Sequence, residues 1–190
     1  MLLSGFLYVI PMKTTLTIPV MTLTDCVFLP QQLLPLRIFE PRYRLMLKAT
    51  LASHQMFAVS QLDESRSSKK NLEVPCPFTC VGRIVNHIQL ADGSTELILE
   101  GLRRAKVHSI SHDESYPLLE ISPVVDEDMA DSISFTREIA RTLSFAEQLL
   151  IDLGSDAQPL LDRIRGLSNK PGALADAVAG HLIAETEMRR

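Results

Sequence analysis

The stretch Leu34-Pro35-Leu36-Arg37-Ile38-Phe39-Glu40-Pro41-Arg42-Tyr43 decides how this chain is read. Pro30 and Pro35 bracket a turn, and Leu36 to Phe39 follow as a short strand. Glu40-Pro41 then opens a helix, because the fixed φ of proline suits the first helical position and an acidic side chain suits the positive end of the helix dipole. The helix runs to about Ser53, with Tyr43, Met46, Leu47, Thr50 and Leu51 as its inward stripe at three-and-four spacing. Arg42, Arg44 and Lys48 lie off that stripe.

Upstream, residues 15–22 (TLTIPVMT) are rich in β-branched types and carry a proline, which predicts an edge strand or a bulged one. Downstream, residues 56–62 read as a strand, and 63–73 (DESRSSKKNLE) read on composition as a mobile loop. Apolar runs at 78–90 and 94–101 flank Asp92-Gly93, which predicts a hairpin, since glycine accepts the positive φ of such a turn. Gly82 and Gly101 fall inside strand patterns and mark bulges or close backbone approaches. Residues 104–110 and 117–125 read as two more strands.

At Asp126 the period changes from two to 3.6. An acidic stretch, 126–131, leads into a helix from Ser132 to Leu153, with Phe135, Ile139, Leu143, Ala146, Leu149, Leu150 and Leu153 on one face and Gly154 as its stop. Residues 156–167 form a second helix, and Leu174, Ala177, Val178, His181 and Leu182 mark a third. The expected architecture is α+β, with a β-rich subdomain over 13–125 and a small helical bundle over 126–190.

The chain has 190 residues, 46% hydrophobic and 22% charged, so it can bury a core and is not a disordered polymer. Its formal net charge is −4, without the basic excess of a generic nucleic-acid binder. Residues 1–110 carry 12 basic and 8 acidic side chains, whereas 111–190 carry 7 and 15. Cys26, Cys76 and Cys80 are too few for a disulfide scaffold, and in an extended strand Cys76 and Cys80 stand about 13 Å apart at ~3.3 Å per residue. Residues 1–12 (MLLSGFLYVIPM) are apolar but lack the leading charge of a signal peptide, so they read as a dispensable leader, with Met12 as an alternative start. They are also too short to cross a bilayer, and no other run reaches the length required, which predicts a soluble, cytoplasmic protein without a membrane partner.

Signatures of catalysis are missing. There is no P-loop, no GxSxG elbow and no HExxH helix. His54, His87, His108, His112 and His181 fall on separate elements, and the paired acids Asp63-Glu64, Asp113-Glu114 and Glu127-Asp128 fall in predicted loops, where solvation keeps carboxylates ordinary. No catalytic, metal-binding or cofactor-binding residue is therefore assigned. Arg37, Arg42, Arg44 and Lys48 form a basic group that suits anions, but aromatics make up only 5% of the chain and there is no Trp, so a base-stacking platform is poorly supplied.

The segment from Leu34 to Tyr43 resembles the "PLxIFExRY" signature of the Lon N-terminal, substrate-binding domain family. Ile18-Pro19-Val20 through Phe28-Leu29-Pro30 resembles the family's opening strand and turn, with Gln31 standing where glycine is common. Val81-Gly82-Arg83-Ile84 resembles a later strand, and Asp92-Gly93 with Leu97 through Gly101 to Arg104 resembles the family's hairpin. Gly172-Ala173-Leu174-Ala175-Asp176-Ala177-Val178-Ala179 is similar to its late helix.

The resemblance implies a PUA-like β-barrel followed by a helical bundle, and a role in binding unfolded or tagged polypeptides, or a protein partner, in protein quality control. The family's ATPase motifs and Ser–Lys protease dyad have no counterpart in these 190 residues, so it implies binding and not catalysis. It supplies no agreed set of peptide-contacting residues. The signature positions Pro35, Leu36, Phe39, Glu40, Pro41, Arg42, Tyr43, Gly82, Asp92, Gly93, Gly101 and Arg104 are read as architectural, with Phe39 and Tyr43 sealing the helix onto the barrel and Arg42 pairing with Glu40 or a buried carboxylate. The expected peptide site is an apolar groove between barrel and bundle, or an exposed strand edge. The alternatives are a PUA-like RNA-binding module, which requires a continuous basic groove, and a small hydrolase, which requires a pocket joining Ser, His and a carboxylate.

Overall fold

The computed structural model describes residues 15–70, 72–112, 115–125, 133–152 and 157–182. Among the described residues, six strands and five helices follow one another as β1 (Leu16–Leu23), β2 (Leu33–Ile38), α1 (Pro41–Leu51), β3 (Met56–Gln61), α2 (Glu64–Lys70), β4 (Phe78–Gln89), β5 (Thr95–Ser111), β6 (Leu118–Pro123), α3 (Ile133–Asp152), α4 (Gln158–Arg165) and α5 (Pro171–Leu182). The α+β class holds: the strands come first and the last three helices pack together behind them. Residues 1–12, the acidic stretch 126–131, Phe135, Leu153 and Gly154, for which the sequence sets expectations, lie outside the residues or side chains described.

The strand order is β2-β5-β4-β3-β1-β6, and β6 also pairs with β5, so the pairings β1–β3–β4–β5–β6–β1 form a closed circuit. The 17-residue β5 makes this possible. Its first half pairs with β2, Leu33 opposite Glu100 through Ile38 opposite Thr95. Its second half pairs with β6, Ala105 opposite Pro123 through Ser111 opposite Leu118. The sequence reading divided β5 into two strands at Gly101, but glycine there keeps the strand continuous while letting another segment approach. A Cβ at Gly101 would collide with the Leu29 carbonyl. The backbone of this glycine instead exchanges hydrogen bonds with the loop, Gln31 N–H to the Gly101 carbonyl and Gly101 N–H to the Gln32 carbonyl, both 2.9 Å.

Proline misled the reading of β1. The strand is not an edge: it pairs antiparallel with β6 over Leu16–Pro19 and parallel with β3 over Val20–Leu23. Pro19 sits where one ladder hands over to the other, so its missing N–H falls at a break in the hydrogen-bond pattern. The predicted loop at 63–73 is also corrected, because Glu64–Lys70 is helical. The cause is a cap that composition hides. The Asp63 carboxylate accepts from the Arg66 backbone N–H at 3.0 Å and from the Ser65 hydroxyl at 2.8 Å. These two hydrogen bonds hold the Asp63 carboxyl below its ordinary range.

The Asp92-Gly93 hairpin forms as expected. Gly93 has φ +78°, its N–H bonds the Leu90 carbonyl at 2.9 Å, and Leu90 N–H bonds the Ser94 carbonyl at 2.8 Å. Helix α1 buries Tyr43, Met46, Leu47 and Thr50 against a core that includes Ile38, Phe57, Val59, Leu97 and Leu99. Fully burying a side chain such as Phe57 contributes about 2–3 kcal/mol. A second cluster joins Ile18, Val20, Ala58, Ala105, Leu119 and Ile121. The bundle has its own core of Ala146, Leu150, Leu161, Ile164, Leu174 and Ala177. Leu149, expected inside, is 52% exposed beside exposed Phe145, because the buried stripe of α3 runs through Ile139, Leu143, Ala146 and Leu150.

Seven acidic and no basic side chains lie in residues 111–132, ahead of α3, so most of the acidic excess of the second half precedes the bundle helices.

Candidate functional site

Where the sheet meets the bundle, polar contacts join them. Arg104 Nη2 on β5 donates to Asp176 Oδ1 on α5 at 2.6 Å. Gln32 Nε2 donates to the Gly180 carbonyl at 3.3 Å, and Arg163 Nη2 on α4 donates to Gln31 Oε1 at 3.1 Å. Gln31 has φ +69°, in the left-handed region where the family resemblance expects glycine. The strained backbone is retained with a side chain that reaches the bundle, which glycine lacks.

Two hollows adjoin these contacts and share Arg104 and Val124. One, about 530 Å³, is walled mainly by Val27, Phe28, Leu29, Pro77 and Phe78. The other, about 320 Å³, is polar and passes Gln31, Arg103, Arg104 and Asp176. Together they form a cleft whose apolar end, under the 27–29 loop, has no bundle residue in its lining and whose charged end reaches the bundle at Ala173 and Asp176. The apolar hollow is thus lined by the sheet part alone, and the hollow that reaches the bundle is the polar one. Cys80 lies at its floor, and burial pushes its thiol up to about 12, so it stays protonated and unreactive.

The open edge of the sheet is β2, whose middle residue, Pro35, lacks a donor. A proline in an edge strand leaves fewer donors for pairing with another strand.

The signature residues fall into three groups. Pro35 and Leu36 lie on β2, and Glu40, Pro41, Arg42 and Tyr43 start α1. Tyr43 is 1% exposed, and its hydroxyl accepts from Thr22 N–H at 3.3 Å. Burial raises its pKa, and the Glu73 carboxylate adds to the rise. Arg42 reaches both Glu40, at 3.1 Å, and Glu73, at 2.7 Å, and lies over the Tyr43 ring at 4.5 Å. Thr22 Oγ1 donates to Glu73 at 2.6 Å, closing a network from α1 to β1. Glu73, placed in a loop by the sequence reading, is the partner that reading left unnamed. Phe39 is corrected: it is 65% exposed and seals nothing, because the chain leaves β2 at Ile38 and turns.

In the second group, Arg37 Nη2 pairs with Asp92 Oδ2 at 2.7 Å, and the Asp92 carboxylate also accepts from the Ser94 hydroxyl and backbone N–H. Hydrogen bonds from Ser94, and then Arg37, bring the Asp92 carboxyl down to about 2. Gly93 faces the Arg44 guanidinium. In the third, Gly82 leaves room for Leu99 and Phe28, Gly101 for Leu29, and Arg104 meets Asp176. The positions are not brought into one pocket; each sits at a different junction between elements.

The basic surface is interrupted by acids, with Arg37 on Asp92 and Arg83 on Glu100. None of the four cavities described brings a Ser, a His and a carboxylate together, and no cluster of metal-ligating side chains occurs among the described residues. No helix among the described residues is long and apolar enough to cross a membrane.

Residues 17–189 match the family model described as the ATP-dependent protease La (LON) substrate-binding domain. Lon protease 1 of Myxococcus xanthus is 24% identical over 176 residues, and Lon protease of Escherichia coli K12 is 24% identical over 170. These alignments cover 90% and 87% of this chain and 21% of each relative, so the chain spans about a fifth of the length of the proteins it matches. Among solved structures, the N-terminal domain of Mycobacterium avium complex Lon protease superposes with a TM-score of 0.68 at 18% identity, covering 91% of this chain and 93% of that one. A Lon N-terminal domain protein from Xanthomonas campestris gives 0.67 at 21% identity, covering 92% and 87%. The same residues that carry the motif resemblance, from the opening strand to the late helix, lie inside the matched span, and the chain belongs to the LON substrate-binding domain family.

Proposed function

We propose that this chain is a non-catalytic polypeptide-binding module, a PUA-like barrel over 13–125 joined to a helical bundle over 126–190, that holds unfolded or tagged polypeptide as an adaptor in protein quality control. The observation that carries this reading is the cleft that runs from the sheet part to the bundle. Its apolar end, walled by Phe28, Leu29 and Phe78, suits side chains exposed on an unfolded chain, and its polar end at Arg103 and Gln31 suits a peptide backbone. Family membership supports the class of ligand, and the absence of an ATPase or protease signature from these residues supports binding without turnover. The RNA-binding alternative is less well supported, because Asp92 and Glu100 break the basic surface.

The test is crosslinking of the full chain to a permanently unfolded protein through a photoreactive group at position 78. Label transfer that a Phe28→Asp variant abolishes is the expected result. No binding at high micromolar concentration overturns the proposal.

A further inference from the structure

The four cations of β2 and α1, Arg37, Arg42, Arg44 and Lys48, are not equivalent. Arg37 is held by Asp92, and Arg42 by Glu73 and Glu40. Arg44 and Lys48 have no carboxylate within 4 Å among the described residues, and both are exposed on the outer face of α1. They stand one turn apart, about 6 Å along the axis at ~1.5 Å per residue. Beside them runs a groove of about 930 Å³ between α1 and the β4–β5 hairpin, with no carboxylate in its lining. Its walls include Leu45 and Ile88, which are 51% and 60% exposed. The acid nearest in sequence to that hairpin turn, Asp92, is already engaged by Arg37 and Ser94.

Two unneutralised cations beside exposed aliphatic side chains are complementary to one kind of surface, apolar with carboxylates at matching spacing. Acids at i and i+4 of a helix stand about 6 Å apart, and acids at i and i+2 of a strand about 6.6 Å. A nucleic acid is a poorer fit, since the lining holds no Phe, Tyr or Trp on which a base could stack, His87 being its one ring, and two cations neutralise few phosphates.

We infer that this groove is a docking site for an acidic amphipathic segment of a partner protein, with Arg44 and Lys48 pairing its carboxylates and Leu45 and Ile88 taking its apolar side. It shares no lining residue with the cleft between sheet and bundle, so it is a second polypeptide surface whose existence does not depend on the first.

The experiment uses the full chain and a fluorescent 16-residue helical peptide bearing Leu on one face and Glu pairs at i and i+4, with matched Gln and Lys versions. The Glu peptide should bind at least tenfold more tightly than the Gln peptide, and its advantage should shrink as salt rises. Arg44→Glu/Lys48→Glu should weaken the Glu peptide at least tenfold and gain affinity for the Lys peptide. The milder Arg44→Gln/Lys48→Gln pair should show the same loss if the reversal disturbs folding, as judged by circular dichroism. Crosslinking of unfolded protein at position 78 should persist in both variants, which separates this site from the cleft. Equal binding of the Glu and Gln peptides, unchanged affinity in the folded double variants, or displacement of the Glu peptide by a 20-nucleotide RNA at lower concentration than by unlabelled peptide overturns the inference.

Discussion

Arg104 on β5 and Asp176 on α5, 72 residues apart in sequence, meet at 2.6 Å across the junction of sheet and bundle. The Asp176 side chain is 9% exposed and that of Arg104 38%, so the carboxylate is the desolvated partner. Its charge is tolerable there because the guanidinium compensates it.

Removing the cation should therefore cost more than removing both groups. Losing one partner of a fully buried pair costs about 3–5 kcal/mol, and partial exposure of Arg104 reduces that to roughly 1–3 kcal/mol for Arg104→Met. Arg104→Met/Asp176→Leu should recover part of the loss. Urea denaturation of the two single variants and the double variant, read as a cycle, measures the coupling. Equal stability of Arg104→Met and the parent would contradict the assignment.

Gln31 makes a second, separable contribution at the same junction. With φ +69°, alanine at this position keeps the backbone strain and loses the hydrogen bond from Arg163. Glycine loses the same bond but relieves the strain, about 1 kcal/mol. Gln31→Gly should thus be more stable than Gln31→Ala by about 1 kcal/mol, whereas an ordinary exposed loop favours alanine. Thermal melts of the two variants decide the order.

The hairpin tip supplies a pH dependence. The Asp92 carboxyl is depressed to about 2 from an unfolded value near 3.8 by Ser94 and then Arg37. The folded form therefore binds this proton less readily than the unfolded chain does. The contribution is fully present above about pH 4 and is lost as pH falls toward 2. Asp92→Asn, which has no carboxyl to titrate, should lose less stability than the parent over that window and differ from it by a constant amount above pH 5. Denaturation midpoints between pH 2 and 6 test this, and parallel curves would remove Asp92 as the titrating group.

Much of the first half is legible because its signals are local. The Asp92-Gly93 turn needs a positive φ that the sequence advertises, and α1 carries its proline start and its buried stripe within 11 residues. The cap on α2 was also written in the sequence, as Asp63 ahead of Glu64-Ser65-Arg66, but the polar composition around it obscured the signal. Phe39 shows the opposite limit. An aromatic residue in a signature suggests burial, yet its position just past the end of β2 leaves it in solvent.

The sequence by itself therefore determined the α+β class, the hairpin, α1 and the family motifs, since these depend on periodicity, on turn chemistry or on residue order over short spans. The tertiary structure alone decided which arginines are neutralised, where the cleft lies and how the bundle is held. Arg42 finds Glu73, Arg104 finds Asp176 and Gln31 finds Arg163 across long separations, while Arg44 and Lys48, on the same helix as Arg42, meet no acid among the described residues. Charge pairing acts through space over a few ångströms and depends on local solvation, and neither quantity is set by distance along the chain.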